Sequence, residues 1–190
     1  MIKDLVLQSR SYRRFYENEK ISEGTLVSLI DVARLCPSAA NQQPLKYRLV
    51  NDAEENKKLF SCLHWAMALP EWGGPAEGER PSAYIIILDD LRIAKNRQTD
   101  VGIAAQSIML AASERGLGGC MLGAIDREKL FELFGLDKEK YEIELVLALG
   151  KPKETVKIVP LDEGGSVKYF RDEKQIHYVP KRNLDDIIVK

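Results

Sequence analysis

Two stretches of this chain hold side chains whose types and spacing suit chemistry. The first is Cys36-Pro37-Ser38-Ala39-Ala40-Asn41-Gln42-Gln43-Pro44, which places a hydroxyl and three side-chain amides between two prolines and carries no charge. Each proline biases the residue before it away from the helical region, so a helix should stop near Cys36 and an extended segment start after Pro44. Neutral donors and acceptors on a stiffened backbone suit the edge of a planar heteroaromatic ring. The same residues also make an ordinary helix-to-strand turn, with Ser38 and Asn41 as local caps. The second stretch is Arg10-Ser11-Tyr12-Arg13-Arg14-Phe15, with three arginines and a hydroxyl among two aromatics. Guanidinium forks bind phosphate bidentately and serine adds a neutral donor, which makes an anion site. A solvated basic turn is the alternative that residue types leave open.

Other chemistries are poorly supported. Cys36, Cys62 and Cys120 form no C-x-x-C pair, and their number is odd, so neither a disulfide framework nor a metal site is expected. His64 and His177 stand alone. No serine–histidine–aspartate, cysteine–histidine or paired-carboxylate signature stands out, and no catalytic side-chain acid or base is assigned. The formal charge of −1 points neither to nucleic acid nor to an anionic membrane. No apolar run approaches the roughly 20 residues of a membrane span. The Met1-Ile2-Lys3-Asp4 start lacks a signal-peptide layout, so a cytoplasmic location is the expectation.

These stretches need elements to position them. The 190 residues are 45% hydrophobic and 30% charged, as in an ordinary globular domain. Helices are expected at 3–9, at 22–36 behind Ser22, at 53–60, at 99–115 behind Thr99 or Asp100, and from Asp126 to Phe134 with Gly135 as the stop. Strands are expected at 45–50, 83–88, 117–123 and 143–149. Ala83-Tyr84-Ile85-Ile86-Ile87-Leu88 should be central and buried on both faces. Asp89-Asp90 should end it. The nearly all-apolar, Gly- and Ala-rich 101–112 segment suits a buried helix, packed on a sheet or in a dimer core. Residues 62–82 read as an irregular loop carrying Trp65 and Trp72, either pinned to the core or walling a pocket. Beyond residue 152 the chain is too polar for its own core. Residues 153–190 are therefore expected to be an arm of the 1–152 domain, wrapping a partner subunit or folding as a flap over its own domain, with short strands at 167–170 and 176–179.

Four pieces in order now resemble the FMN-dependent nitroreductase family across nearly the whole chain. They are the Arg10–Arg14 turn, the Pro-Ser-x-x-Asn-x-Gln-Pro loop, the Asp100-to-Gln106 helix running into Gly116-Leu117-Gly118, and Lys181-Arg182 near the end. The resemblance implies an α+β fold with a central mixed β-sheet flanked by helices and a C-terminal arm exchanged between subunits. It implies a homodimer with FMN at the subunit interface. It places Arg10, Ser11 and Arg13 on the FMN phosphate and ribityl chain, with Lys181 or Arg182 assisting. Pro37, Ser38, Asn41 and Gln43 would come from the other subunit to line the flavin. Gly119, Met121, Leu122 and Gly123 would run past the ring, with the Gly123 backbone N–H near its reactive edge. Trp65 and Trp72 fall where the family varies and become the candidate substrate contacts. The activity implied is ping-pong transfer of hydride from NAD(P)H through the flavin to a nitroaromatic, quinone or similar acceptor. The alternative is a non-catalytic flavin-binding protein with a regulatory or storage role. A phosphate binder without flavin is a third reading.

Overall fold

A computed structural model describes residues 1–66, 69, 71–95 and 97–189. Its centre is a four-stranded sheet of β1 (Leu45–Val50), β2 (Ala83–Asp90), β3 (Gly118–Leu122) and β4 (Tyr141–Gly150), in the order β1-β2-β4-β3. Every pairing within it is antiparallel. A second sheet of β5 (Val156–Pro160), β6 (Phe170–Arg171) and β7 (His177–Lys181) has the order β5-β7-β6 and pairs β5 with β7 in parallel. The organisation is α+β with helices flanking the sheet, as expected. The mixed pairing lies in the second sheet and in a parallel Ser11–Gly119 bridge at the β3 edge, not among the four central strands.

Strand β2 explains the layering. Its side chains alternate with period two, and every one of its residues is buried. Ala83, Ile85 and Ile87 enter one core with α2 (Glu23–Arg34) and α4 (Gln98–Glu114). Tyr84, Ile86 and Leu88 enter the other, with α3 (Ala53–Phe60) and α5 (Arg127–Phe134). Helix α1 (Ile2–Gln8) buries none of its residues. Burying one such isoleucine stabilises the fold by about 1.5–3 kcal/mol. The strand runs through Asp89 and Asp90 rather than stopping before them. Burial raises the Asp89 carboxyl above its ordinary range, while Arg92 hydrogen-bonds Asp90 and holds it down at about 2.

Local signals in the sequence place most helix ends. Ser22 accepts from Thr25 N, Asp52 from Glu54 N and Glu55 N, and Asp126 from Lys129 N. Gly135 ends α5 in the left-handed region at φ 58°. Helix α4 differs: its cap residue is Arg97 and makes no side-chain capping bond. Neither Thr99 nor Asp100 caps it. In the arm, the expected 167–170 strand shrinks to Phe170–Arg171 and the 176–179 strand shifts to His177–Lys181. Strand β5 is an element that sequence reading passes over. Residues 183–189 contribute a short 3-10 turn, Leu184–Asp186, which Asn183 and Asp186 close reciprocally.

Glycine is required where strand β3 meets β4. A Cβ on Gly119 would lie 2.3 Å from the Ala148 carbonyl oxygen, a backbone atom that cannot step aside. A Cβ on Gly123 would meet nothing nearer than Leu145 Cδ1 at 3.9 Å. Gly119→Ala should therefore cost about 2 kcal/mol in urea unfolding, whereas Gly123→Ala should stay within about 0.5 kcal/mol. Equal stability of the two variants would contradict this packing.

Candidate functional site

The arginine turn folds against the edge of β3. Tyr12 N donates to Gly119 O at 2.9 Å, extending the Ser11–Gly119 bridge. The turn opens a cavity of about 310 Å³, walled by Arg10, Ser11 and Arg13 from the turn and by Gly119 and Met121 from β3. Helix α4 contributes Gln106 and Met109, three residues apart and so on one helix face. The arm closes the far side with Tyr169 and with His177, Val179 and Lys181.

The last three residues follow from strand geometry. In β7 successive side chains point to opposite faces, so positions 177, 179 and 181 share one. Lys181 thus reaches the cavity. Arg182 instead lines a separate surface hollow with Leu161, Asp162 and Asn183.

The cavity is electropositive. Arg10, Arg13 and Lys181 line it, and among the described residues no carboxylate does. Arg13 is 8% exposed, and the Nε atoms of Arg10 and Arg13 are buried without a hydrogen-bond partner. Glu154 lies behind the wall. It accepts from the Arg13 backbone N–H at 2.5 Å and from the Arg171 guanidinium at 2.9 Å. The Arg13 guanidinium stays on the cavity side, 4.7 Å over the Tyr169 ring. Such a wall fits a phosphate group, since charge-assisted bonds to an oxyanion would satisfy the orphaned nitrogens.

The proline-flanked loop lies elsewhere in the same chain. Pro37, Ser38 and Gln43 line a second cavity of about 310 Å³ with Tyr47 and Asp100. Asn41 borders neither cavity and is exposed. The loop is held from α4 by a buried carboxylate. Asp100 is 4% exposed and accepts from Ser38 Oγ at 2.5 Å and from Ala39 N at 3.1 Å. Ser38 Oγ in turn accepts from Gln43 N at 3.0 Å, and Arg97 hydrogen-bonds the Gln42 amide oxygen. Ala40, Asn41 and Gln43 all sit in the left-handed region, at φ 51°, 52° and 53°. This is a strained and tied loop rather than a casual turn.

The remaining expected residues scatter. Leu122, the last residue of β3, is buried and Gly123 lies exposed just beyond the strand. Trp65 packs in the α3/α5 core at 7% exposure, its ring 5.8 Å from Phe60. Trp72 is covered by Arg171 at 4.5 Å and Arg14 at 5.9 Å. Residues 67, 68 and 70 of the tryptophan-bearing segment lie outside the described residues. Sequence reading missed Gln106, Met109, Tyr169, His177 and the role of Asp100. The spacing of His177 to Lys181 within a strand was the available signal for His177.

His177 is 1% exposed, and among the described residues neither ring nitrogen has a hydrogen-bond partner, Glu154 Oε2 standing 4.0 Å from Nδ1. Burial, aided by the Arg13 charge and opposed by Glu154, lowers its pKa from 6.5 to about 4.

The unfolded chain therefore takes up a proton at His177 that the folded chain refuses between pH 6.5 and about 4. That contribution to stability is full above pH 6.5 and is lost as pH falls toward 4, by up to about 1.4 kcal/mol per pH unit. The thermal midpoint without added ligand should fall over this window, and His177→Gln should remove that part of the slope; an unchanged slope would place the titration elsewhere. A second variant tests the loop. Asp100→Asn should cost about 1–3 kcal/mol, because an amide nitrogen then faces the Ser38 and Ala39 donors. Amides 38–43 should exchange faster with solvent, and unchanged exchange would show that the loop holds itself.

Comparison with known proteins agrees with this arrangement. The nitroreductase family model matches residues 6–151. A protein of Archaeoglobus fulgidus, provisionally named an NADH dehydrogenase/NAD(P)H nitroreductase, is 30% identical over 157 residues, covering 78% of this chain and 84% of that protein. An iodotyrosine deiodinase of Thermotoga neapolitana is 26% identical over 183 residues, covering 86% and 95%. In fold, a nitroreductase of Desulfovibrio desulfuricans solved in complex with FMN superposes with a TM-score of 0.70 over 100% of this chain and 95% of that one, at 20% identity. With the match spanning the arginine turn, the Asp100-tied loop and β3, the chain belongs to the nitroreductase family.

Proposed function

We propose that this chain is an FMN-dependent oxidoreductase that passes hydride from NAD(P)H to a small acceptor such as a nitroarene or quinone. The observation that carries the reading is the cavity bounded by Arg10, Arg13 and Lys181, with no lining carboxylate among the described residues, beside the open backbone of β3. Family membership and the FMN complex of the Desulfovibrio desulfuricans protein support flavin as the occupant.

In this reading Arg10, Arg13 and Lys181 hold the phosphate, and Ser11 adds a hydroxyl. The β3 edge from Gly119 to Gly123 lies alongside the ring, where glycine lets the backbone approach a flat group. When bound, FMN would supply the two-electron redox chemistry that links NAD(P)H to the acceptor. The chain positions and encloses. No cavity side chain is assigned as a proton donor, and His177 stays neutral across the ordinary pH range because burial keeps its pKa near about 4. Donor and acceptor would share one open face and use it in turn, a ping-pong order.

A second copy of the chain completes the site. Ile2 at 66% and Leu7 at 49% exposure, with Leu184 at 68% and Ile187 at 61%, form apolar surface that a single chain leaves in water. Surface of this kind at both chain ends supports a homodimer held partly by the arm. The strained loop then offers Pro37, Ser38, Asn41 and Gln43 to the partner's flavin.

The first test is a visible spectrum of the purified chain, followed by anaerobic NAD(P)H. The reading expects flavin bands that bleach. Bands that persist would favour a flavin-binding role without turnover, and a colourless protein after added FMN would remove the cofactor. Arg13→Ala should weaken FMN retention at least about tenfold, the loss of a charge-assisted contact worth roughly 1.5–3 kcal/mol. A chain ending at Arg182 should sediment as monomer; an intact dimer would contradict the arm's role.

A further inference from the structure

A third cavity, of about 260 Å³, lies on the α3 face of the sheet, whereas the electropositive cavity lies on the α4 side. Its inner wall is made of buried polar groups. Tyr84 is 0%, Ser82 1% and Asn56 8% exposed. Among the described residues the Tyr84 hydroxyl, Ser82 Oγ and Asn56 Oδ1 have no hydrogen-bond partner, and neither has the buried Nε of Arg80. Asn56 Nδ2 donates to Ser82 O at 2.8 Å, which fixes the amide and leaves its oxygen as a free acceptor. Buried polar groups are normally paired, and leaving one unpaired is costly. Four in one cavity describe a receptor surface.

Charge selects the ligand. Arg80, Lys20 and Lys57 line the cavity. Among the described residues none of the three has a carboxylate within ion-pair distance. The Arg80 guanidinium lies over the Phe60 ring, 4.4 Å from its centroid, a contact that helps hold it in place. Of the two lining carboxylates, Glu17 is engaged by the backbone N–H groups of Gly78 at 2.5 Å and Arg80 at 3.2 Å. An anion is favoured at the Arg80 end. The inner wall offers two hydroxyls and one carbonyl, all neutral. A hydroxyl there would both donate and accept among these neutral groups.

We propose that this cavity is a second binding site, for a small α-hydroxycarboxylate, with the carboxylate on Arg80 and the hydroxyl among Asn56, Ser82 and Tyr84. Burial raises the Tyr84 phenol, so it remains a protonated donor. The site shares no lining residue with the electropositive cavity and does not rest on the flavin reading.

The test is calorimetric titration of the full chain, as purified, with racemic 2-hydroxybutyrate and with butyrate, which lacks only the hydroxyl. The proposal expects saturable binding of 2-hydroxybutyrate, at least about tenfold tighter than butyrate. Tyr84→Phe should bring the two within about threefold, and Arg80→Met should weaken both at least about tenfold. Circular dichroism and the visible spectrum should match wild type in both variants, which separates loss of the site from loss of the fold. Absence of saturable binding would mean that water fills the cavity and would overturn the proposal. So would equal affinity for butyrate in the wild type, or binding that neither substitution changes.

Discussion

The Asp100 carboxylate ties the strained loop to the fold. The loop after α2 must hold three non-glycine residues in the left-handed region, each at a cost of order 1–3 kcal/mol. Against this stand two hydrogen bonds to a buried anion, from Ser38 Oγ and Ala39 N, each worth roughly 1.5–3 kcal/mol. The two magnitudes are comparable, so the loop conformation persists because the carboxylate is there. The carboxylate in turn tolerates burial because it lies in the first turn of α4, where backbone N–H groups and the helix dipole favour a negative charge. The same helix sends Gln106 and Met109 to the electropositive cavity. One rigid element therefore sets both the strained loop and one wall of the candidate cofactor site.

The opposite wall depends on a different constraint, the two-residue period of a strand. Strand β7 belongs to the arm, far along the chain from the arginine turn, yet positions 177, 179 and 181 meet that turn across the cavity. Glu154 makes the junction, bonding the Arg13 backbone on one side and the Arg171 guanidinium on the other. Arg171 covers Trp72, so the tryptophan-bearing segment is joined to the same hub.

Much of this was legible in the sequence, for identifiable reasons. Strand β2 announced itself because a β-branched run buried on both faces needs no polar alternation. The helix caps at Ser22, Asp52 and Asp126 are local signals and needed no tertiary information. Asp100 looked like another cap, and the structure gives it a long-range task instead; a local rule cannot see Ser38 from sixty residues away. Lys181 and Arg182 were inseparable as a dipeptide. Only the strand register separates them, and β7 is held by pairing with β5, an exposed strand whose pattern is weak. Trp65 and Trp72 left two readings open, rings pinned to the core or rings walling a pocket, because loop tryptophans do both. Here one ring packs in the core and the other lies under two guanidinium groups.

Electrostatics explains how the fold tolerates a cavity lined by Arg10, Arg13 and Lys181. Glu154 supplies the compensating charge from behind the wall, through the Arg13 backbone rather than its guanidinium, so the cationic face stays turned inward. A carboxylate inside the cavity would neutralise the site that the arginines form. His177 could have added a fourth positive charge, but burial next to Arg13 keeps its ring neutral. A neutral imidazole carries one donor and one acceptor and suits a hydroxyl-rich segment between a phosphate and a ring. Cations are thus grouped where an oxyanion would lie, and neutral groups where the rest of a polar ligand would run.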